Sequence, residues 1–72
     1  MVNHSQTLAQ LVEAGDHQAI VTAYRQAAEA MFAQGESDAG FFFLTHAFVH
    51  ALEGGLEETE TLEARLREAG RL

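Results

Sequence analysis

The 72-residue chain contains no cysteine, no proline and no lysine. The missing cysteine excludes disulfides, zinc knuckles and thiol nucleophiles. A chain of this length buries only about 60% of the surface that its unfolded form exposes, so its stability is small unless something reinforces the fold. Disulfides, structural metals and oligomerisation are the usual reinforcements. Oligomerisation is therefore the expected one here, with a metal ion as the alternative.

Positive charge is also scarce. Four arginines stand against eleven acidic residues, the net charge is −7, and Arg25 is the one cation before residue 65. This balance excludes the basic surface that binds nucleic acids and disfavours anionic membranes. The longest apolar stretch, residues 39–52, is interrupted by polar residues and is shorter than the ~20 residues of a membrane-spanning helix. Since the N-terminus also lacks a signal-peptide pattern, we expect a soluble, cytoplasmic protein.

Groups that perform catalysis are few. The chain has one tyrosine and, beyond residue 5, one serine, and it has no glycine-rich phosphate loop after a strand. The acidic run LEETETLE, residues 56–63, is typical of a solvated helix face. We therefore expect a protein that is not an enzyme and that carries no cofactor.

Glycines divide the chain into helical segments. They stand at positions 15, 35, 54, 55 and 70 between stretches of helical period, and thirteen alanines favour helix. The sequence predicts one all-α domain over residues 1–72, with residues 1–4 disordered. It predicts four helices: a short N-terminal helix, an antiparallel central hairpin (about 16–34 and 37–53) and an amphipathic C-terminal helix (about 56–69).

The two central helices have wide apolar faces. In both, the apolar arc exceeds the roughly 100° stripe of an ordinary surface helix. A helical wheel of the second places Phe41, Phe42 and Phe48 inside, and Phe43 at the border of the polar face. The first and last helices have too few apolar residues to cover both arcs. We therefore expect a homodimer that buries Phe43 and part of the hairpin.

Two histidines stand out as possible ligands. His46 and His50 lie one helical turn apart, and Glu53 follows three residues later on the same side. Such groups bind zinc and related metals. The segment HAFVH, however, has alanine where a zinc-protease helix carries glutamate. The main interpretation is a solvent-facing or interface role. The alternative is a metal site at these three residues, completed by His17 or His4.

The spacing of residues in the hairpin resembles a tetratricopeptide repeat. That repeat has the order W-x2-L-G-x2-Y, then a glycine turn, then A-x3-F. Residues 21–54 have its length of 34 residues and contain the order Tyr24-x2-Ala27-Ala28-x2-Met31, Gly35, and Gly40-x3-Leu44 followed by Ala47. The chain is thus similar to a single degenerate repeat, with small residues where the two helices approach closely: Ala28, Gly40 and Ala47.

This resemblance implies protein or peptide binding on the face formed by the first helix of the repeat. The residues that it implies there are Thr22, Arg25, Gln26, Glu29 and Ala33. Phe43 is an additional predicted contact residue. The leading prediction is a small, non-enzymatic protein–protein interaction module that self-associates or binds a protein or peptide partner. The alternative is a metal- or small-ligand-binding helical protein using the face of His46, His50 and Glu53.

Overall fold

The computed structural model describes residues 15–72, which form three helices: α1 (His17–Ala33), α2 (Ser37–Gly54) and α3 (Glu58–Glu68). The prediction of an all-α fold is confirmed, and the central hairpin has nearly the predicted bounds. The prediction of a four-helix protein is wrong, because three helices make up the fold of the described residues. The predicted short N-terminal helix and residues 1–4 lie outside those residues.

Local signals set the helix boundaries. The carboxylate of Asp16 accepts a hydrogen bond from the amide of Ala19 at 3.0 Å and so caps the start of α1. At the other end, Gly35 has φ +77°, a left-handed conformation that glycine adopts without steric cost. The amide of Glu36 then donates to the carbonyl of Met31 at 2.8 Å. This turn reverses the chain and makes α1 and α2 antiparallel.

The two helices of the hairpin approach most closely where α2 has glycine. A Cβ atom on Gly40 would overlap the ring of Phe32, near the end of α1. A Cβ atom on Gly54 would lie 2.6 Å from the Cβ of His17, the first residue of α1. No real Cβ atom tolerates such distances, so the hairpin depends on a missing side chain at each end of α2.

The third helix closes the core. The buried side chains of Leu62 and Leu66 join those of α1 and α2 in one cluster, whose other buried members are Val21, Ala28, Leu44, Ala47 and Ala51. The two leucines are almost completely inaccessible to solvent. Because α3 supplies this cover, the three helices of residues 15–72 share one core.

Aromatic and guanidinium groups pack together at the turn end of the hairpin. The rings of Phe32 and Phe41 meet edge to face, with centroids 4.9 Å apart. The guanidinium of Arg71 lies 4.7 Å from the centroid of Phe41, and that of Arg65 lies 5.7 Å from the centroid of Phe32. The segment from α3 onward thereby covers the two phenylalanines with the apolar stems and planar heads of arginine.

One prediction about the phenylalanines is wrong. Phe41 and Phe48 are partly buried against the core, as expected, but Phe42 is 60% exposed. Phe43, placed at the border by the wheel, packs against the core beside Tyr24. The physical reason is that both flanks of α2 are apolar. The positions of α1 and α3 therefore determine which side of α2 is buried, and the order of apolar residues in α2 does not.

Substituting Leu62 with alanine tests the role of α3. The substitution leaves a cavity between α3 and the hairpin, and we expect it to lower the free energy of unfolding by about 2–5 kcal/mol. Leu72→Ala is the matched control, because Leu72 is 54% exposed and should change stability by no more than about 0.5 kcal/mol. Urea denaturation followed by circular dichroism measures both. Equal effects of the two substitutions would contradict this account of the core.

Candidate functional site

Four of the residues that the repeat resemblance places on the binding face line one surface depression on α1. They are Thr22, Arg25, Gln26 and Glu29, and the depression has a volume of about 350 Å³. Their spacing of three and four residues puts them on one side of the helix. Ala33 is exposed at the last residue of α1, one turn beyond Glu29. Four of the five predicted residues therefore share one depression, and their role in binding a partner stays a prediction.

Two ion pairs connect this face to α3. The guanidinium of Arg25 donates to Glu58 at 3.0 Å, and that of Arg65 donates to Glu29 at 3.3 Å. Both pairs advance in the same direction along the two helices, so α1 and α3 run parallel. The residues that line the depression all belong to α1. Arg25 is therefore engaged within the chain and is not a free clamp for a peptide carboxylate.

A second surface lies on the outer side of α2. Phe42, Thr45, Val49 and Leu52 form a continuous exposed row, here called the outer stripe. Phe42, Val49 and Leu52 are 60%, 44% and 56% exposed. They point away from the buried side of α2, because residues seven and ten apart lie on one face of a helix. Large apolar side chains in a row on one helix are typical of an interaction surface.

The outer stripe ends beside a depression at the α2–α3 turn. Its volume is about 550 Å³. The lining residues are Leu52, Gly55, Leu56, Glu57, Thr59 and Glu60. Leu52 therefore belongs to both features, with its side chain at the border between the stripe and the depression.

Tyr24 organises the aromatic side chains between α1 and α2. Its ring stacks with those of His46 and His50, at centroid distances of 5.2 and 5.7 Å. The ring of Phe43 is 6.3 Å from Tyr24, on the same flank. The rings of His46 and Phe42 meet edge to face, with centroids 4.6 Å apart. His46 thus lies against the exposed Phe42, and Phe43 is partly buried beside Tyr24. The predicted role of Phe43 as a contact residue stays a prediction.

A different trio of ligand groups comes together at the open end of the hairpin. One ligand atom each from His17, His50 and Glu53 lies within 4.8 Å of the others. The Nδ1 of His50 is 3.5 Å from a carboxylate oxygen of Glu53. His46, the third member of the predicted metal site, is not in this group. His17, which the sequence analysis named as a possible additional ligand, is in this group instead.

Counting from the turn would have identified His17. In an antiparallel hairpin, residues equally distant from the turn lie opposite each other. His17 precedes Gly35 by 18 residues, and Glu53 follows it by 18. The exposure of Phe42, Val49 and Leu52 cannot be predicted in this way, because the sequence of α2 alone does not show which of its apolar flanks faces solvent.

All four arginines of the chain are paired with acidic side chains. Each arginine donates to an acidic partner: besides the two pairs between α1 and α3, Arg67 donates to Glu63 at 2.7 Å and Arg71 donates to Asp38 at 2.8 Å. The excess of negative charge is therefore carried by carboxylates without an arginine partner.

Within residues 15–72, no helix combines the length and the apolar character that crossing a bilayer requires.

Comparisons with known proteins give no relative from which a role could be transferred. No protein-family model, no curated protein and no solved structure matches the chain. The geometry of the chain itself is therefore the basis for any proposal about its function.

A double-mutant cycle on Arg25 and Glu58 tests the link between α1 and α3. The two side chains are 41% and 25% exposed, so we expect a coupling energy of about 0.2–1 kcal/mol, which decreases at high salt. Urea denaturation of Arg25→Ala, Glu58→Ala and the double variant gives this energy. The pair of Arg67 and Glu63, within α3, is the control, with about 0.3–0.5 kcal/mol expected. Zero coupling between Arg25 and Glu58 would contradict the proposed link.

Proposed function

We propose that the protein is a small, non-enzymatic protein–protein interaction module that self-associates through the outer stripe of α2. The observation that carries this proposal is the row of exposed Phe42, Val49 and Leu52 on a single helix. The row has no charged member, although the chain as a whole has a net charge of −7. Two copies that meet along this row bring no charged member of the row into contact.

The order of residues in the stripe fits a two-fold symmetric pair. Phe42 and Leu52 are each five residues from Ala47, and Thr45 and Val49 are each two residues from it. If two α2 helices cross antiparallel at the level of Ala47, Phe42 of one copy meets Leu52 of the other, and Thr45 meets Val49. A two-fold dimer requires this self-complementarity.

The depression at the α2–α3 turn supports the same arrangement. Leu52 lines that depression together with Leu56, so Phe42 of the second copy would enter it in the antiparallel pair. An aromatic side chain seated in a pocket is a frequent source of binding energy in protein interfaces.

The dimer should be weak. Six side chains, three from each copy, are about half exposed and contribute about 1 kcal/mol each when covered. A gross gain of roughly 6 kcal/mol is reduced by the free energy that association itself costs, so we expect a Kd toward the millimolar end of the range from about 1 μM to 1 mM. Association is therefore expected to depend on concentration over this range.

The face of α1 is the proposed contact surface for another protein or peptide. Support comes from the depression lined by Thr22, Arg25, Gln26 and Glu29, and from the resemblance of the hairpin to a tetratricopeptide repeat. Arg25 and Glu29 already have partners on α3. Thr22 and Gln26 are then the groups left for hydrogen bonds, so a neutral polar segment fits this face better than a charged one.

Leu52→Glu tests the proposed self-association. A carboxylate at this position in each copy would have to lose water against Phe42 of the other, and we expect the dimer to weaken at least tenfold. Leu72→Glu is the matched control, since it makes the same change at a residue of almost equal exposure, 54% against 56%. Sedimentation equilibrium from micromolar to millimolar protein measures both variants and the parent.

Two results would contradict the proposal. One is a parent protein that stays monomeric over the whole concentration range. The other is equal weakening by Leu52→Glu and Leu72→Glu, which would indicate a general effect of added negative charge. Circular dichroism of each variant establishes that the helices are retained.

A further inference from the structure

We propose that His17, His50 and Glu53 bind a divalent first-row transition metal, and that zinc is the ion that this ligand set fits best. Their ligand atoms lie within 4.8 Å of one another at the open end of the hairpin, opposite the turn at Gly35. The three residues come from the first turn of α1 and the last turn of α2. A metal ion here would connect the two ends of the hairpin.

The distances are close to those that a metal site needs. Zinc binds histidine nitrogen at about 2.0–2.1 Å and carboxylate oxygen at about 2.0–2.2 Å, so tetrahedral ligand atoms are separated by about 3.4 Å. The Nδ1 of His50 and a carboxylate oxygen of Glu53 are already 3.5 Å apart. The ligand atom of His17 lies within 4.8 Å of those of His50 and Glu53, so side-chain rotations can bring it to the separation that a metal site needs.

The backbone places His17 next to α2 because Gly54 has no side chain. A Cβ atom on Gly54 would be 2.6 Å from the Cβ and 2.9 Å from the Cγ of His17. The ring of His50 is oriented by Tyr24, which stacks on it at an interplanar angle of 13°. Two independent contacts thus bring the imidazoles of the two helices together, with centroids 6.3 Å apart.

Unsatisfied nitrogen atoms point to a missing partner. Among the groups of residues 15–72, the Nδ1 atoms of His17 and His50 are buried and make no hydrogen bond. A buried polar group without a partner is costly, and an imidazole nitrogen is a common metal ligand. Metal binding would give both nitrogen atoms the interaction that a hydrogen bond does not provide here.

The ligand types determine which metals fit. Imidazole nitrogen favours zinc, copper, nickel and iron, whereas calcium and magnesium require mainly oxygen ligands. Three protein ligands leave one position open to water or to another ligand. Because the chain has no disulfide, an ion that connects α1 to α2 would stabilise it in the way that structural metals stabilise other small domains.

The test is zinc-dependent thermal unfolding of the full chain after treatment with a chelator. At a free zinc concentration a hundredfold above Kd, we expect the Tm of the parent to rise by about 10 °C or more. His17→Gln and His50→Gln should lose most of this rise. His46→Gln is the matched control, because it removes a histidine of the same helix one turn away and should keep the rise in full.

Gly54→Ala gives a second, independent variant. It keeps all three ligands but adds a Cβ atom that pushes His17 away from α2, so we expect at least a tenfold weaker affinity for zinc. Isothermal titration with zinc measures this affinity for every variant, including one whose Tm falls. Visible absorption of the Co²⁺ form reports directly on four-coordinate binding.

Three results would overturn the inference. The first is a parent whose Tm and titration do not respond to zinc. The second is zinc binding that persists unchanged in both His17→Gln and His50→Gln. The third is equal loss in His46→Gln, which would return the site to the face of α2 that the sequence alone indicates. Circular dichroism before metal addition verifies the helical content of each variant.

Discussion

The close approach of α1 and α2 at two glycines is the constraint on which the other features depend. Phe32 lies against Gly40 at the turn end of the hairpin, and His17 lies against Gly54 at the open end. Any side chain on these glycines would push the helices apart. Contacts at both ends fix the register of the hairpin, and the register determines which residues of α1 face which residues of α2.

Close packing on one side of α2 leaves the opposite side uncovered. The buried residues Leu44, Ala47 and Ala51 face α1 and α3, and the large apolar residues Phe42, Val49 and Leu52 face outward. The arginines do not relieve this exposure, because each is paired with an acidic group elsewhere on the surface. The same packing that stabilises the hairpin thus creates the surface for which we propose a second copy.

The register of the hairpin also brings together ligands from distant parts of the sequence. His50 and Glu53 share a helix, but His17 joins them only because α1 returns to the end of α2. His46 lies one turn away and is occupied with Tyr24 and Phe42. Whether a histidine belongs to a site is therefore decided by the opposite helix as well as by spacing within one helix.

The sequence was a good guide to local structure and a poorer one to orientation. Asp16 and Gly35 mark the ends of α1 by capping and turn chemistry, which depend on neighbouring residues alone. The polar row on α1 was predicted because polar residues occupy one side of that helix. On α2, Phe42 was placed inside and Phe43 at the border, and the structure reverses this order. That result requires knowing where α1 and α3 pack, which the pattern of α2 does not contain.

Disulfide cross-linking tests the central claim, self-association through antiparallel α2 helices, most directly. The chain has no cysteine, so single cysteines introduced by Thr45→Cys and Val49→Cys report on one contact each. The two variants are mixed and oxidised, and an isotopic label on one of them distinguishes the products by mass. The disulfide between Thr45→Cys and Val49→Cys should predominate, since position 45 of one copy faces position 49 of the other. Predominant linking of Thr45→Cys to itself, or no more linking than a Leu72→Cys control shows, would contradict the claim.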